Sequence, residues 1–132
     1  MRKPSSPAVE ECYRGKQTRV FRLNRQAVVA ALEEWARLLV HDRPDVVEVR
    51  LFGSLAAGNA APGSDADLII VVKDAAEAFP DRGAAFARFF SGIGVACDVF
   101  AYTEAELARL RAEDNAFIAA AWSRGVPLAR RS

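Results

Sequence analysis

The sequence has no long hydrophobic run, which argues against a membrane protein. None of its apolar stretches approaches the roughly 18 residues that a membrane-spanning helix needs. The first 15 residues are basic and polar and contain no apolar segment like that of a secretory signal. We therefore expect neither membrane attachment nor secretion.

Cysteine and histidine are also scarce, which argues against a zinc or disulfide framework. The chain has two cysteines, Cys12 and Cys97, which lie far apart, and one histidine, His41. This distribution makes no metal-ligand pattern, because a structural zinc site needs about four such side chains at short spacings. Two reduced thiols are typical of a cytoplasmic protein, which is the location we expect.

The charge is nearly balanced overall but unevenly spread. Residues 1–25 carry seven Lys or Arg and two Glu, whereas residues 26–99 carry six Lys or Arg and eleven Asp or Glu. An acidic centre argues against sequence-specific DNA binding, because phosphate contacts need a basic face. The 132 residues fit one domain. We predict a loosely ordered basic arm over 1–17 and a single domain over 18–132.

Hydrophobic periodicity predicts alternating helices and strands. Asn24 is a suitable N-cap for a first helix that ends before Pro44, and Pro80 suits the first turn of a second helix. Strands are predicted over 46–52, 67–72 and 95–101. A last helix is predicted from Thr103 to Gly125, with a capping box of Thr103 and Glu106 at its start and Phe117 on its inward face, followed by a short edge strand at "VPLA". The order α-β-β-α-β-α indicates an α/β (α+β) domain with a small sheet flanked by helices.

Three aspartates suggest a metal site. Asp65 and Asp67 are two residues apart at the start of an apolar strand, so their side chains point to the same face. Asp98 lies within the next predicted strand, and the three carboxylates converge if these strands are neighbours. Such a cluster is repulsive unless a cation compensates it. Mg²⁺ prefers oxygen ligands and bridges carboxylates to phosphates, so the pattern predicts a metal–nucleotide site with room for two ions.

The dipeptide Gly53-Ser54 fits the same site. A glycine at a strand end lets backbone N–H groups approach a phosphate, and the serine adds a hydroxyl. Gly53 follows the strand over 46–52, whereas Asp65 precedes the strand over 67–72. The two can meet only if these strands are antiparallel, so we predict a mixed sheet.

These residues resemble a known family. "LFGSLAAGNAAPGSDADLIIVV", followed by "CDVF", is similar to the minimal nucleotidyltransferases of the DNA polymerase beta superfamily. The signature of that family is Gly-Ser, about ten residues, Asp-x-Asp, and a third acidic residue on a later strand. The resemblance covers roughly residues 24–129 and implies a polymerase-beta-like nucleotidyltransferase fold.

The resemblance also implies a reaction and a role for each matching residue. Asp65 and Asp67 would bind two Mg²⁺ ions, and Asp98 would complete the metal site and help to deprotonate the acceptor hydroxyl. Gly53 and Ser54 would hold the β- and γ-phosphates of a nucleoside triphosphate. A nucleotidyl group, such as AMP from ATP, would be transferred to the acceptor with release of pyrophosphate.

The sequence departs from the family pattern inside the loop. Many relatives carry an arginine where this chain has Ala57, and an acidic residue where it has Asn59. Without that arginine, we expect weaker binding of the triphosphate. Arg19, Arg22 and Lys73 are candidate replacements.

Larger relatives carry a helical second domain that helps to build the acceptor site, and the sequence shows no segment like it, so we expect a partner or a second copy of the chain to bind the acceptor. Minimal members often pair with a small helical HEPN-type protein and act as its antitoxin by transferring AMP to it. A homo-oligomer is the other expected assembly. Two alternatives stay open: a weak or inactive domain that binds a partner, and transfer to a small molecule such as an aminoglycoside.

Overall fold

A four-stranded sheet organises the protein, and it is described here from a computed structural model. The structure describes residues 9–14, 18–23, 25–58 and 66–132. The elements in chain order are β1 (Val9–Arg14), β2 (Thr18–Leu23), α1 (Arg25–Asp42), β3 (Val46–Phe52), α2 (Gly53–Ala57), β4 (Ala66–Val72), α3 (Phe79–Phe89), β5 (Cys97–Thr103), α4 (Glu104–Ala112), α5 (Ala116–Arg124) and β6 (Val126–Arg130). In these described ranges, no helix combines the length and apolar character needed to cross a bilayer.

The main sheet is mixed, as the sequence predicts. Its strand order is β5-β4-β3-β6. The central strand β3 runs antiparallel to both β4 and β6, whereas β4 and β5 are parallel. The predicted antiparallel pairing of the first two core strands is therefore confirmed.

Each face of the sheet is covered by helices. Leu68 and Ile70 of β4 pack with α1 and α3, whereas Ile69 and Val71 pack with α4 and α5. This alternation follows from the two-residue period of a strand. A strand that is apolar on both faces lies inside a sheet, which is where the sequence predicts β4.

The N-terminal segment differs from its prediction. Residues 9–14 form β1, which pairs antiparallel with β2 from Val9 opposite Leu23 to Arg14 opposite Thr18. A loosely ordered arm was expected over 1–17, because its composition is basic and polar. Cross-strand pairing supplies backbone hydrogen bonds that composition does not reveal. Residues 1–8 and 15–17, and the predicted cap Asn24, lie outside the described residues.

The predicted last helix is two helices, α4 and α5. The chain breaks at Asp114, whose φ of 53° is left-handed, and the Asn115 side chain then caps α5 by accepting a hydrogen bond from the Ile118 N–H at 3.1 Å. The apolar period continues across this break, so periodicity alone predicts one helix. The capping box of Thr103 and Glu106 at the start of α4 is confirmed.

A buried arginine ties three elements together. Arg82 of α3 donates Nη1 and Nη2 to the two carboxylate oxygens of Glu106 on α4, at 2.8 and 3.0 Å. It also donates to the backbone carbonyls of Glu77 and of Ala101 in β5. The Arg82 guanidinium is the largest cause that lowers the pKa of the Glu106 carboxyl to about 2. This ion pair holds α3 and α4 against the edge strand β5.

Replacing Glu106 by glutamine is expected to destabilise the protein at pH 7. The folded-state pKa of Glu106 lies below its ordinary value of 4.5, so the ionised carboxylate contributes stability above pH 4.5, and this contribution is lost as the pH falls toward about 2. Glu106→Gln should lower the free energy of unfolding by about 1–3 kcal/mol at pH 7, measured by urea denaturation, with the difference shrinking toward pH 2. Glu104→Gln, on the exposed side of the same first turn, is the matched control. An equal loss in both variants at pH 7 would contradict this assignment.

Candidate active site

The chain leaves β3 through a tight turn at Gly53. Gly53 has a φ of +78°, which favours glycine, and it begins the short helix α2. A Cβ added at Gly53 would lie 2.3 Å from the Oδ2 atom of Asp67. The first residue of the Gly-Ser pair therefore lies directly against a carboxylate of the Asp-x-Asp motif, and a side chain at position 53 would have to displace that carboxylate.

Two predicted site aspartates lie side by side. In the register of the parallel pair, Asp67 of β4 is opposite Asp98 of β5, while Phe52 of β3 is opposite Asp67 on the other side. Neighbouring strands lie about 4.8 Å apart, so the two carboxylates share one edge of the sheet and one face. Asp98 is exposed and Asp67 is half-buried. Asp65, one residue before β4, lies outside the described residues.

The donor set suits a hard cation. Within the ranges that the structure describes, no group of three His, Cys, Asp or Glu is positioned to hold a metal ion, so this edge contributes the pair Asp67 and Asp98. Mg²⁺ in nucleotide sites is commonly held by one or two carboxylates together with phosphates and waters. Two adjacent carboxylates repel each other in the absence of a cation, and that repulsion favours binding of one.

A cleft of about 390 Å³ opens beside Gly53 and Ser54, between α2 and α5. It is lined by Phe52, Gly53, Ser54, Ala57, Phe117, Ala120, Ala121 and Arg124. Among the described residues that line it, most side chains are small or aromatic, and Arg124 is the one charged side chain. The position where many relatives carry an arginine, Ala57, faces this cleft.

Phe117 forms part of the rim of this cleft. The sequence predicts Phe117 as a core residue, but 40% of it is exposed. Its ring contacts those of Phe52 and Phe100 at centroid distances of 5.3 and 5.4 Å. The break at Asp114 starts a new helix, and α5 turns Phe117 toward the cleft while the next residue, Ile118, is buried in the core.

Arg25 is a positioning residue that the sequence reading missed. From the start of α1 its Nε donates to the Leu55 carbonyl at 2.9 Å, and its Nη2 contacts the Ala56 carbonyl at 3.4 Å. The Leu55 carbonyl also accepts a hydrogen bond from the Gly58 N–H at 3.4 Å, and Arg25 adds a charged donor at the C-terminal end of α2, which a cation stabilises. Arg25 therefore fixes the segment that follows Gly53-Ser54. The contact joins residues about thirty positions apart, so no local pattern predicts it.

Lys73 is too far away to replace the missing arginine. It follows the end of β4, six residues after Asp67. Six residues of extended strand span about 20 Å. The suggestion that Lys73 compensates for Ala57 is therefore wrong. The side chains of Arg19 and Arg22 lie outside what the structure describes, so their suggested role stays a prediction.

A larger groove of about 470 Å³ lies at the opposite end of β3 and β4 and is not the candidate site. Its lining includes Glu48, Arg50, Trp122 and Arg130. Arg50 donates to Glu48 at 2.8 Å, and Arg130 approaches the same carboxylate at 3.4 Å. Glu48 is thus paired with two arginines, which is typical of an ion-pair cluster with a structural role.

Comparisons with known proteins agree with the fold described above. A family model described as nucleotidyltransferase domain matches residues 32–120. The fold resembles that of a candidate nucleotidyltransferase from Sulfolobus solfataricus, with a TM-score of 0.57 and 24% identity over 81% of this chain and 84% of that one. It also resembles a chain of a toxin–antitoxin crystal structure with AMP-PNP, with a TM-score of 0.54 and 19% identity over 83% of this chain and 76% of that one. No curated protein sequence matches significantly.

Removing one of the two adjacent carboxylates is expected to stabilise the metal-free protein. Like charges at facing positions of neighbouring strands are destabilising by a few tenths of a kcal/mol. Asp98→Asn should therefore raise the free energy of unfolding, measured in EDTA at low salt. Asp74→Asn removes the same charge from an exposed site after β4 and serves as the control. A loss of stability in Asp98→Asn would show that the two carboxylates do not repel each other.

Proposed function

This chain belongs to the nucleotidyltransferase domain family, and we propose that it transfers AMP from Mg²⁺-bound ATP to a hydroxyl group of a partner protein. The observation that carries the proposal is the contact between Gly53 and Asp67, with Asp98 in register beside them. A phosphate-binding turn and a pair of carboxylates at one point match the needs of phosphoryl chemistry.

The proposed roles follow from the position of each residue. Asp67 and Asp98, together with Asp65, hold Mg²⁺, which neutralises phosphate charge and orients the triphosphate when it is bound. Gly53 and Ser54 bind the β- and γ-phosphates through the backbone and the serine hydroxyl. The exposed carboxylate of Asp98 is open to solvent, where it accepts the proton of the acceptor hydroxyl.

The proposed reaction is a single in-line displacement. The acceptor oxygen forms a bond to the α-phosphorus as the bond to the bridging α,β oxygen breaks. Pyrophosphate leaves with that oxygen, and the proton from the acceptor passes to Asp98. Positioning and charge neutralisation supply most of the rate enhancement in such reactions, because the protein forms no covalent bond itself.

A partner protein is the proposed source of the acceptor. The resemblance to a chain of a toxin–antitoxin structure supports an antitoxin that modifies its toxin, and the AMP-PNP of that structure supports ATP as the donor. Phe117 and Val126 are the large hydrophobic residues that the described part of the chain exposes, and Phe117 borders the cleft. An apolar rim beside a nucleotide site suits a protein acceptor, with a small helical HEPN-type protein as the expected partner.

A second candidate function is partner binding without turnover. Ala57 favours it, because the cleft lacks a cation at the position where relatives carry one. The same fold and rim would serve this role. Both candidates require a partner, but only the first requires Mg²⁺-dependent transfer.

Transfer of label from ATP separates these candidates. The purified chain is incubated with Mg²⁺, a small helical HEPN-type protein as the proposed partner, and ATP labelled at either the α- or the γ-phosphate. We expect the α-label to be transferred to the partner and the γ-label to leave as pyrophosphate. Asp67→Asn should reduce the rate by at least about 100-fold, because a metal ligand is lost. Transfer of the γ-label, or a rate in Asp67→Asn equal to that of the unchanged protein, would refute nucleotidyl transfer through this site.

Two glycine variants test the contact between Gly53 and Asp67. Gly53 and Gly92 both have positive φ, of 78° and 89°, but a Cβ at Gly92 would meet nothing within 4 Å. Both substitutions should cost about 1 kcal/mol for a side chain at positive φ, and Gly53→Ala should cost more because its methyl group also meets the Asp67 carboxylate. Only Gly53→Ala should weaken Mg²⁺–ATP binding, measured by calorimetry, because its methyl group displaces the Asp67 carboxylate. Equal affinity in the two variants would contradict the role of this contact.

A further inference from the structure

We propose that Arg124 binds the triphosphate of the nucleotide and replaces the arginine that is absent at position 57. This inference rests on the proposed function and names a phosphate-binding residue that the Gly-Ser and Asp-x-Asp motifs do not include. Arg124 is the last residue of α5, far from both motifs in sequence.

Arg124 lies in the cleft that contains the Gly-Ser turn. Gly53, Ser54 and Ala57 form one wall, and Arg124 belongs to the opposite wall on α5. In the part of the chain that the structure describes, it is the one charged side chain that lines the cleft. A cleft with one cation and a glycine turn is suited to an anion, and its volume of about 390 Å³ accommodates a nucleotide-sized ligand.

Close packing at Gly125 explains why Arg124 lies beside the turn. A Cβ at Gly125 would lie 2.4 Å from the Ala121 carbonyl oxygen and 2.7 Å from that of Leu51. The end of α5 therefore rests directly on the backbone of β3, one residue before Phe52 and two before Gly53. The glycine thus fixes Arg124 at the same end of β3 from which the phosphate turn departs.

The N–H donors of the Arg124 guanidinium are available, unlike those of Arg25 and Arg82. Its side chain is exposed, and in the described part of the chain it makes no hydrogen bond or ion pair. By contrast, Arg25 is bound to the carbonyls of α2, and Arg82 is paired with Glu106. A guanidinium presents a planar set of five N–H donors that binds phosphate oxygens in pairs. Arg124 can therefore donate the charged hydrogen bonds to phosphate that Ala57 cannot.

A purely structural role for Arg124 predicts different behaviour. A basic residue in the last turn of a helix stabilises the helix dipole. Arg88 occupies the same last-turn position in α3, is exposed and does not line the cleft. Arg88→Ala therefore reproduces the loss of one charge and of one dipole contact without touching the proposed phosphate site.

The test measures nucleotide binding by the full-length chain. Dissociation constants for Mg²⁺–ATP, AMP and inorganic tripolyphosphate are measured by calorimetry for the unchanged protein and for Arg124→Ala, Arg124→Lys and Arg88→Ala. We expect Arg124→Ala to weaken Mg²⁺–ATP and tripolyphosphate binding by about 10- to 100-fold, as for the loss of a charge-assisted hydrogen bond. The binding of AMP to Arg124→Ala should weaken by less than about 3-fold. Arg124→Lys should retain part of the affinity for Mg²⁺–ATP.

A rescue variant makes the test specific. Adding Ala57→Arg to Arg124→Ala places a guanidinium on the facing wall and should restore most of the Mg²⁺–ATP affinity. Melting temperatures of all variants check that each one is folded, and Arg124→Gln replaces Arg124→Ala if that variant is unstable.

Two results would overturn the inference in distinguishable ways. If the unchanged protein binds Mg²⁺–ATP through Asp67 but Arg124→Ala binds as Arg88→Ala does, Arg124 is not a phosphate ligand and the proposed function stands. If the unchanged protein does not bind Mg²⁺–ATP at all, the proposed function fails and the inference fails with it.

Discussion

The close approach of Gly53 to Asp67 is the constraint on which the candidate site depends. A backbone with positive φ and no Cβ lets a carboxylate lie where any other residue would place a methyl group. The turn that would bind phosphates and the carboxylate that would bind the metal are therefore adjacent. The antiparallel pairing of β3 and β4 makes this approach possible, because it brings the end of one strand beside the start of the next.

The remaining parts of the site extend outward from this contact. Parallel pairing of β4 with β5 adds Asp98 on one side, and packing of α5 on β3 through Gly125 adds Arg124 and Phe117 on the other. The proposed metal ligands, the proposed phosphate-binding turn and the guanidinium of Arg124 thus come from separate elements that meet at one edge of the sheet. Helices cover both faces of the sheet, and the Arg82–Glu106 pair joins α3 to α4.

Much of this arrangement is predictable from sequence, because it depends on local patterns. The apolar residues on both faces of β4, the Gly-Ser pair and the spaced aspartates predict the mixed sheet. They also predict that the Gly-Ser turn and the Asp-x-Asp motif lie next to each other. The break at Asp114 and the contacts of Arg25 and Gly125 were not predicted, since each depends on residues that are distant in sequence or on a period that continues across a turn. The prediction that Phe117 lies in the core was wrong because its helical spacing is that of a buried residue in one continuous helix. In the structure a new helix begins just before it.

The most direct test of the account is where a paramagnetic ion binds. Mn²⁺ substitutes for Mg²⁺ and broadens the NMR signals of nearby amides, so a titration with Mn²⁺ and a non-hydrolysable ATP analogue maps the site residue by residue. The account predicts that the amides of Gly53, Ser54, Asp67 and Asp98 broaden first and that those of Glu48 and Lys73, at the opposite end of the strands, do not. Broadening centred on Glu48, or spread evenly over the acidic surface, would contradict it.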